Sequence, residues 1–170
     1  MNSSLLAFMK YSSISLLSLL VLISACATAP PYDGPGPFDK TADANGQVER
    51  SLSSARKGGK HVLLVYGANW CSDSTKTVAL LQSDPEISGI LQDSYLVTRI
   101  DVGPKGSGRN DSLVSRYHAT IKKGIPVLVV LDGSGRLLND TRQTRLRDSD
   151  HKEPDRIAGF LKMHAPGSAR

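Results

Sequence analysis

The sequence predicts a single mixed α/β domain behind a leader and a tether. Beyond residue 38 the apolar residues switch repeatedly between helical and strand spacing. The strand-like runs His61 to Tyr66 and Pro126 to Leu131 are rich in Val and Leu, as strands buried on both faces are. Glycine and proline clusters punctuate the changes of period. With 170 residues there is enough chain for one ordinary core and too little for two. Hydrophobic residues make up 39% and glycine adds 15 positions, a folded rather than a disordered balance.

Asp39 to Lys57 reads as an amphipathic helix with Val48, Leu52 and Ala55 on one face, ended by Gly58-Gly59. His61 to Tyr66 follows as a buried strand. Ser72 to Gln82 is helical, and Asp84-Pro85 restarts a helix whose apolar face carries Ile87, Ile90 and Leu91. Tyr95 to Val102 is the second strand. The Gly103 to Gly108 loop has its glycines in the wrong order for a dinucleotide fingerprint, and no Gly-Lys-Ser/Thr follows. Asn110 to His118 is a short helix. Pro126 to Leu131 and Arg136 to Asn139 flank Asp132-Gly133-Ser134-Gly135, which suits a hairpin. Glu153 to His164 closes the chain as a helix with Ile157, Phe160 and Leu161 inward.

Residues 1–25 do not belong to the fold. Lys10 is their only charged side chain, and Ile14 to Ile23 is an apolar run broken only by serines, as in a secretory signal. The run is short for a membrane span and no basic stop-transfer segment follows. Its end, Leu22-Ile23-Ser24-Ala25-Cys26, resembles the bacterial lipobox, which implies acylation of Cys26 as the new N-terminus. Ala27 stands where an aspartate usually retains such proteins in the inner membrane, so the periplasmic face of the outer membrane is the expected location. Residues 26–38 form the tether, with four prolines and two glycines between 27 and 38. In polyproline conformation it reaches roughly 35 Å.

The net charge of +5 comes from 21 basic residues interleaved with 16 acidic ones, without a basic block. With one Trp, five Tyr and three Phe, two of these in the leader, a base-stacking surface has little to be built from, and nucleic acid is not an expected partner. Cys71, His118, His151, His164 and Met163 show no close ligand spacing, so neither a metal nor another cofactor is expected.

The informative segment is Tyr66-Gly67-Ala68-Asn69-Trp70-Cys71-Ser72-Asp73-Ser74, in which a buried strand turns into a helix that starts at a cysteine. A thiolate there is stabilised by free backbone N–H groups and the positive end of the helix dipole, which raises the fraction of sulfur able to attack a disulfide. The Ser74 hydroxyl, one turn along, offers a further hydrogen bond to the sulfur, whereas the Asp73 carboxylate opposes a second negative charge.

These residues resemble the active-site region of the thioredoxin superfamily, with Trp70-Cys71 at its Trp-Cys pair. Gly124-Ile125-Pro126 resembles the segment that places a cis-proline opposite the cysteine. The resemblance covers about residues 40–165, within a domain taken as 39–170. It implies a thioredoxin-like α/β fold with a mixed central sheet of four or five strands and helices on both faces. It also implies a substrate chain laid beside Ile125 and Pro126, with Trp70 on the rim. Two departures stand out: Ser74 replaces the second cysteine, and Val65 occupies the place of the buried acid that helps the second cysteine lose its proton. Both fall on the same half-reaction.

The expectation is therefore monothiol exchange with protein or low-molecular-weight disulfides through Cys71, recycled by an external thiol reductant. The competing expectation is a redox-inactive module that holds an extended peptide in the groove around Trp70 and Ile125. A cysteine hydrolase would need a placed histidine, and His118, the sole candidate, has no motif behind it.

Overall fold

The computed structural model describes residues 36–139 and 153–168. The signal segment, Cys26 and the tether up to residue 35 lie outside the described residues, as does His151. The elements run α1 (Ala44–Gly58), β1 (His61–Gly67), α2 (Ser72–Ser83), α3 (Pro85–Ser94), β2 (Tyr95–Asp101), α4 (Asp111–Arg116), a 3-10 turn Ile121–Lys123, β3 (Val127–Leu131) and α5 (Pro154–Met163).

Two aspartates decide where helices begin. Asp43 rather than Asp39 caps α1, its Oδ1 accepting from the Gly46 N–H at 3.0 Å, while Asp39 spends its carboxylate on the Thr41 N–H and hydroxyl. The helix therefore starts five residues later than its periodicity indicates. Asp84 caps α3 through Ile87 N–H at 2.9 Å, with Pro85 at the first helical position. Gly59 ends α1 with φ of 64°, a left-handed cap that a side chain resists.

β1 is central. It pairs parallel with β2, Leu64 opposite Thr98, and antiparallel with β3, Leu64 opposite Val129. Successive side chains alternate faces, so β1 divides the core in two. Val62, Leu64 and Tyr66 join Val48, Leu52 and Ala55 of α1 and Leu113 of α4. Leu63 and Val65 join Val78 and Leu81 of α2, Ile87 and Leu91 of α3, and Ile157 and Leu161 of α5. Helices thus cover both faces of a mixed sheet. Phe160 is partly buried, packing against this second half of the core and, at a tilted angle, against the His164 ring with centroids 4.6 Å apart.

Among the described residues the sheet has three strands, in the order β2-β1-β3. The return of the hairpin is reduced to one bridge, Leu131 with Leu137, and a bond from Leu138 N–H to Val130 O at 2.8 Å. The side chain of Asn139 then takes over from backbone: its Oδ1 accepts from Val130 N–H at 2.6 Å and its Nδ2 donates to Leu128 O at 3.2 Å. The turn between is wound around Asp132, whose carboxylate accepts from Ser134 and Arg136. Although burial raises its pKa, these donors outweigh that and hold the carboxyl below the usual range.

The fold begins earlier than the tether boundary indicates. Phe38 is completely buried in the α2–α3–α5 half of the core. Two phenols are also used inside: Tyr66 donates to Leu113 O at 3.1 Å and Tyr95 to Leu161 O at 2.6 Å. Burial pushes the pKa of both up, which keeps them neutral.

Candidate active site

Cys71 stands at the junction of the turn after β1 and the first residue of α2. Its φ and ψ of −96° and 111° are extended, its carbonyl accepts the helical bond from Thr75 N–H at 3.1 Å, and its N–H donates to Ala68 O at 3.1 Å. Ala68 to Cys71 is therefore a tight turn with Asn69 and Trp70 at its corners. The thiol is free and partly exposed. Its Sγ donates to the carbonyl of Ile125 at 3.5 Å, and the Ile125–Pro126 bond that follows is cis. Residues 54 positions apart thus form the two walls of one small site.

Each corner of the turn is tied to another stretch of chain. Trp70 is 60% exposed, yet its Nε1 donates to Gly103 O at 2.8 Å, so the indole lies over the loop after β2 as a fixed rim. That loop is held in turn by Arg109, whose Nη1 pairs with the buried carboxylate of Asp101 at 2.5 Å, and by Asn110, which donates to Asp101 O. Asn69 reaches the other way. Its Oδ1 accepts from Phe38 N–H at 2.9 Å and its Nδ2 donates to Phe38 O at 2.8 Å.

Ser74 does not do what its spacing from Cys71 indicates. It is fully buried, and its Oγ has no hydrogen-bond partner among the described residues, Cys71 Sγ included. Ser74 lies on the inner side of α2, facing β1. A Cβ placed on Gly67 would lie 2.9 Å from Ser74 Cβ and 2.3 Å from Phe38 Cζ, so glycine is required where strand, helix and N-terminal segment converge. Val65, at the place of the acid in the resembling site, is buried among apolar side chains.

His118 is not part of this arrangement. It follows α4 with a left-handed φ of 52° and lines a polar cleft on the α1 side with Glu49, Arg116 and Tyr117, a cleft that does not include Cys71. No group of three His, Cys, Asp or Glu side chains suited to a metal ion occurs among the described residues. Asn69, Gly67 and Phe38 escaped the sequence reading. The one available signal was Phe38 itself, a large apolar residue at the end of a segment otherwise built of proline, glycine and polar residues.

A strand, a turn with a helix-start cysteine, and a cis-proline facing it define a thioredoxin-type site. The profile of the thioredoxin-like family matches residues 43–133, and the chain belongs to that family. Among solved structures it is similar to a disulphide isomerase from Xylella fastidiosa Temecula1, with 29% identity and a TM-score of 0.66 over 74% of this chain and 94% of that one. It is also similar to the C-terminal domain of DsbD from Neisseria meningitidis, at 17% identity and TM-score 0.49 over 71% and 95% of the two chains. A third similarity is to an exposed lipoprotein thioredoxin of Streptococcus pneumoniae, at 22% identity and TM-score 0.44 over 65% and 88%. No curated protein matches the chain.

Proposed function

We propose that this chain is a membrane-tethered monothiol that exchanges with protein or low-molecular-weight disulfides through Cys71. The observation that carries the reading is the placement of a free, partly exposed sulfur at the start of α2, 3.5 Å from the carbonyl that precedes a cis-proline. The 29% identical relative is described as a disulphide isomerase, which agrees with such chemistry.

In the forward step Cys71, its proton lost to solvent, attacks one sulfur of a disulfide. A Cys71–substrate disulfide forms, the old sulfur–sulfur bond breaks, and the second sulfur leaves as a thiolate that takes up a proton. Ser74 offers no sulfur to break the new bond, so an external thiol must attack it, returning Cys71 and carrying away the substrate sulfur as a new disulfide. Each step conserves electrons.

The test uses the Cys26→Ser chain, so that Cys71 is its only thiol. Incubated with glutathione disulfide, it is expected to gain one glutathionyl adduct, seen by intact mass, that persists until an external thiol is added. Adding Cys71→Ser should abolish the adduct. No adduct on the Cys26→Ser chain, or an adduct that decays without added thiol, overturns the monothiol reading.

The anchor belongs to the same proposal. The lipobox-like ending at Cys26 supports acylation there, with the domain held at the periplasmic face of the outer membrane. In cells, Cys26→Ser is expected to move the protein from the membrane to the soluble fraction, because it removes the sulfur that the lipobox-like ending supplies for acylation. Unchanged retention in the membrane fraction counts against the lipobox.

A further inference from the structure

The turn Ala68–Cys71 carries the reactive sulfur, yet little of its own chain holds it. One backbone bond closes it, from Cys71 N–H to Ala68 O. Its two corner side chains reach out in different directions, Trp70 to Gly103 O and Asn69 to both backbone polar groups of Phe38. The second contact is unusual in kind. One side-chain amide satisfies an N–H and a C=O of the same residue, as a neighbouring strand would, and it does so across 31 positions of sequence.

The contact is also closely fitted. A Cβ on Gly36 would come within 2.4 to 2.7 Å of the Asn69 amide, so the backbone at 36 lies against that side chain. The Phe38 ring, wholly buried, fills the space that a side chain on Gly67 would need, one residue before Ala68. The backbone of residues 36–38 therefore meets the active-site turn through Asn69, while the Phe38 ring belongs to the core beneath Gly67.

We propose that Asn69 is a positioning residue for Cys71, acting by docking residues 36–38 onto the turn, so that the segment leading to the tether is a working part of the site. The chemistry behind this is preorganisation. Attack on a disulfide needs the sulfur held in line while an extended substrate lies beside Ile125, and two hydrogen bonds that fix the corner next to Trp70-Cys71 restrict where the sulfur can go. Without them the turn opens. The sulfur then leaves the Ile125 carbonyl and becomes more accessible to a small reagent, while it meets an extended disulfide less often in the right geometry.

This inference rests on the exchange reading for its rate measurement but not for its geometry, and the experiment separates the two. The full-length acylated chain in detergent is compared as wild type, Asn69→Ala, Asn69→Asp and Phe38→Leu. Three quantities are measured: exchange with a peptide disulfide, alkylation of Cys71 by iodoacetamide, and the fluorescence anisotropy of Trp70, the only tryptophan in the chain. For Asn69→Ala exchange should fall on the order of tenfold, alkylation should rise several-fold and anisotropy should drop. Asn69→Asp keeps the acceptor for Phe38 N–H and loses the donor, so it should fall between.

Phe38→Leu is the control for a merely structural effect. It loses packing and melting temperature but leaves the backbone groups that Asn69 grips, so all three readouts should stay near wild type below its melting range. The positioning role is overturned if Asn69→Ala leaves alkylation and anisotropy unchanged, or if Phe38→Leu changes them equally. If wild type exchanges with no disulfide, the exchange reading falls, while alkylation and anisotropy still decide for or against Asn69.

Discussion

Phe38→Ala is expected to cost about 3–5 kcal/mol of stability, the range for deleting a buried aromatic side chain. For a domain of this size that is a fall in Tm on the order of 10–20 °C, measured by circular dichroism. The ring has no exposure and sits between α2 and β1, under a glycine whose missing Cβ makes room for it. Little can collapse into the space, since the neighbouring Leu63, Val65 and Val78 belong to fixed elements. A loss of only a degree or two would mean that residues 36–38 contribute no packing to the core.

The second large effect is a gain. Ser74→Cys is expected to give a chain that forms an intramolecular disulfide with Cys71 and reduces insulin faster than wild type in an assay supplied with an electron donor. Positions 71 and 74 lie one turn apart at the start of α2, a separation within reach of a disulfide. The change also removes a buried hydroxyl that has no partner among the described residues, so the fold should tolerate it.

Turnover should still lag behind that of a complete dithiol site. Val65, buried among apolar side chains, cannot take the proton that a buried second thiol must lose before it attacks. Adding Val65→Asp should raise the rate and lower the stability, because a carboxylate in that strand must be desolvated or stay protonated. If Ser74→Cys forms no disulfide under oxidising conditions, the two positions are not disposed for exchange and the mechanism has to be abandoned.

Most of the architecture was legible because burial on both faces leaves a plain mark. His61 to Tyr66 and Pro126 to Leu131 could scarcely be anything but buried strands, and the placement of Cys71 follows from strand, turn and helix in that order. What escaped was decided by competition or by distance. Asp39 and Asp43 are both competent caps, and only the fold shows that Asp39 is occupied by Thr41. Arg136 to Asn139 alternates well enough for a strand, but Asn139 satisfies β3 with its side chain instead. Phe38 was hidden by its company, since prolines and glycines read as linker until one sees what lies above the ring. The Asn69 grip has no local signature, because its partner is 31 residues away.

The side chain of Asn139 has a consequence for how β3 is completed. A buried strand needs a donor or an acceptor for each of its backbone groups, and these are usually supplied by another strand. On β3 the Val130 N–H and the Leu128 O are met by one carboxamide, which carries the donor and acceptor of a peptide unit on a side chain. Asn139 is itself buried, so this substitution of side chain for backbone takes place away from water. A leucine of similar size at 139 would remove two hydrogen bonds from the interior at once and could restore neither.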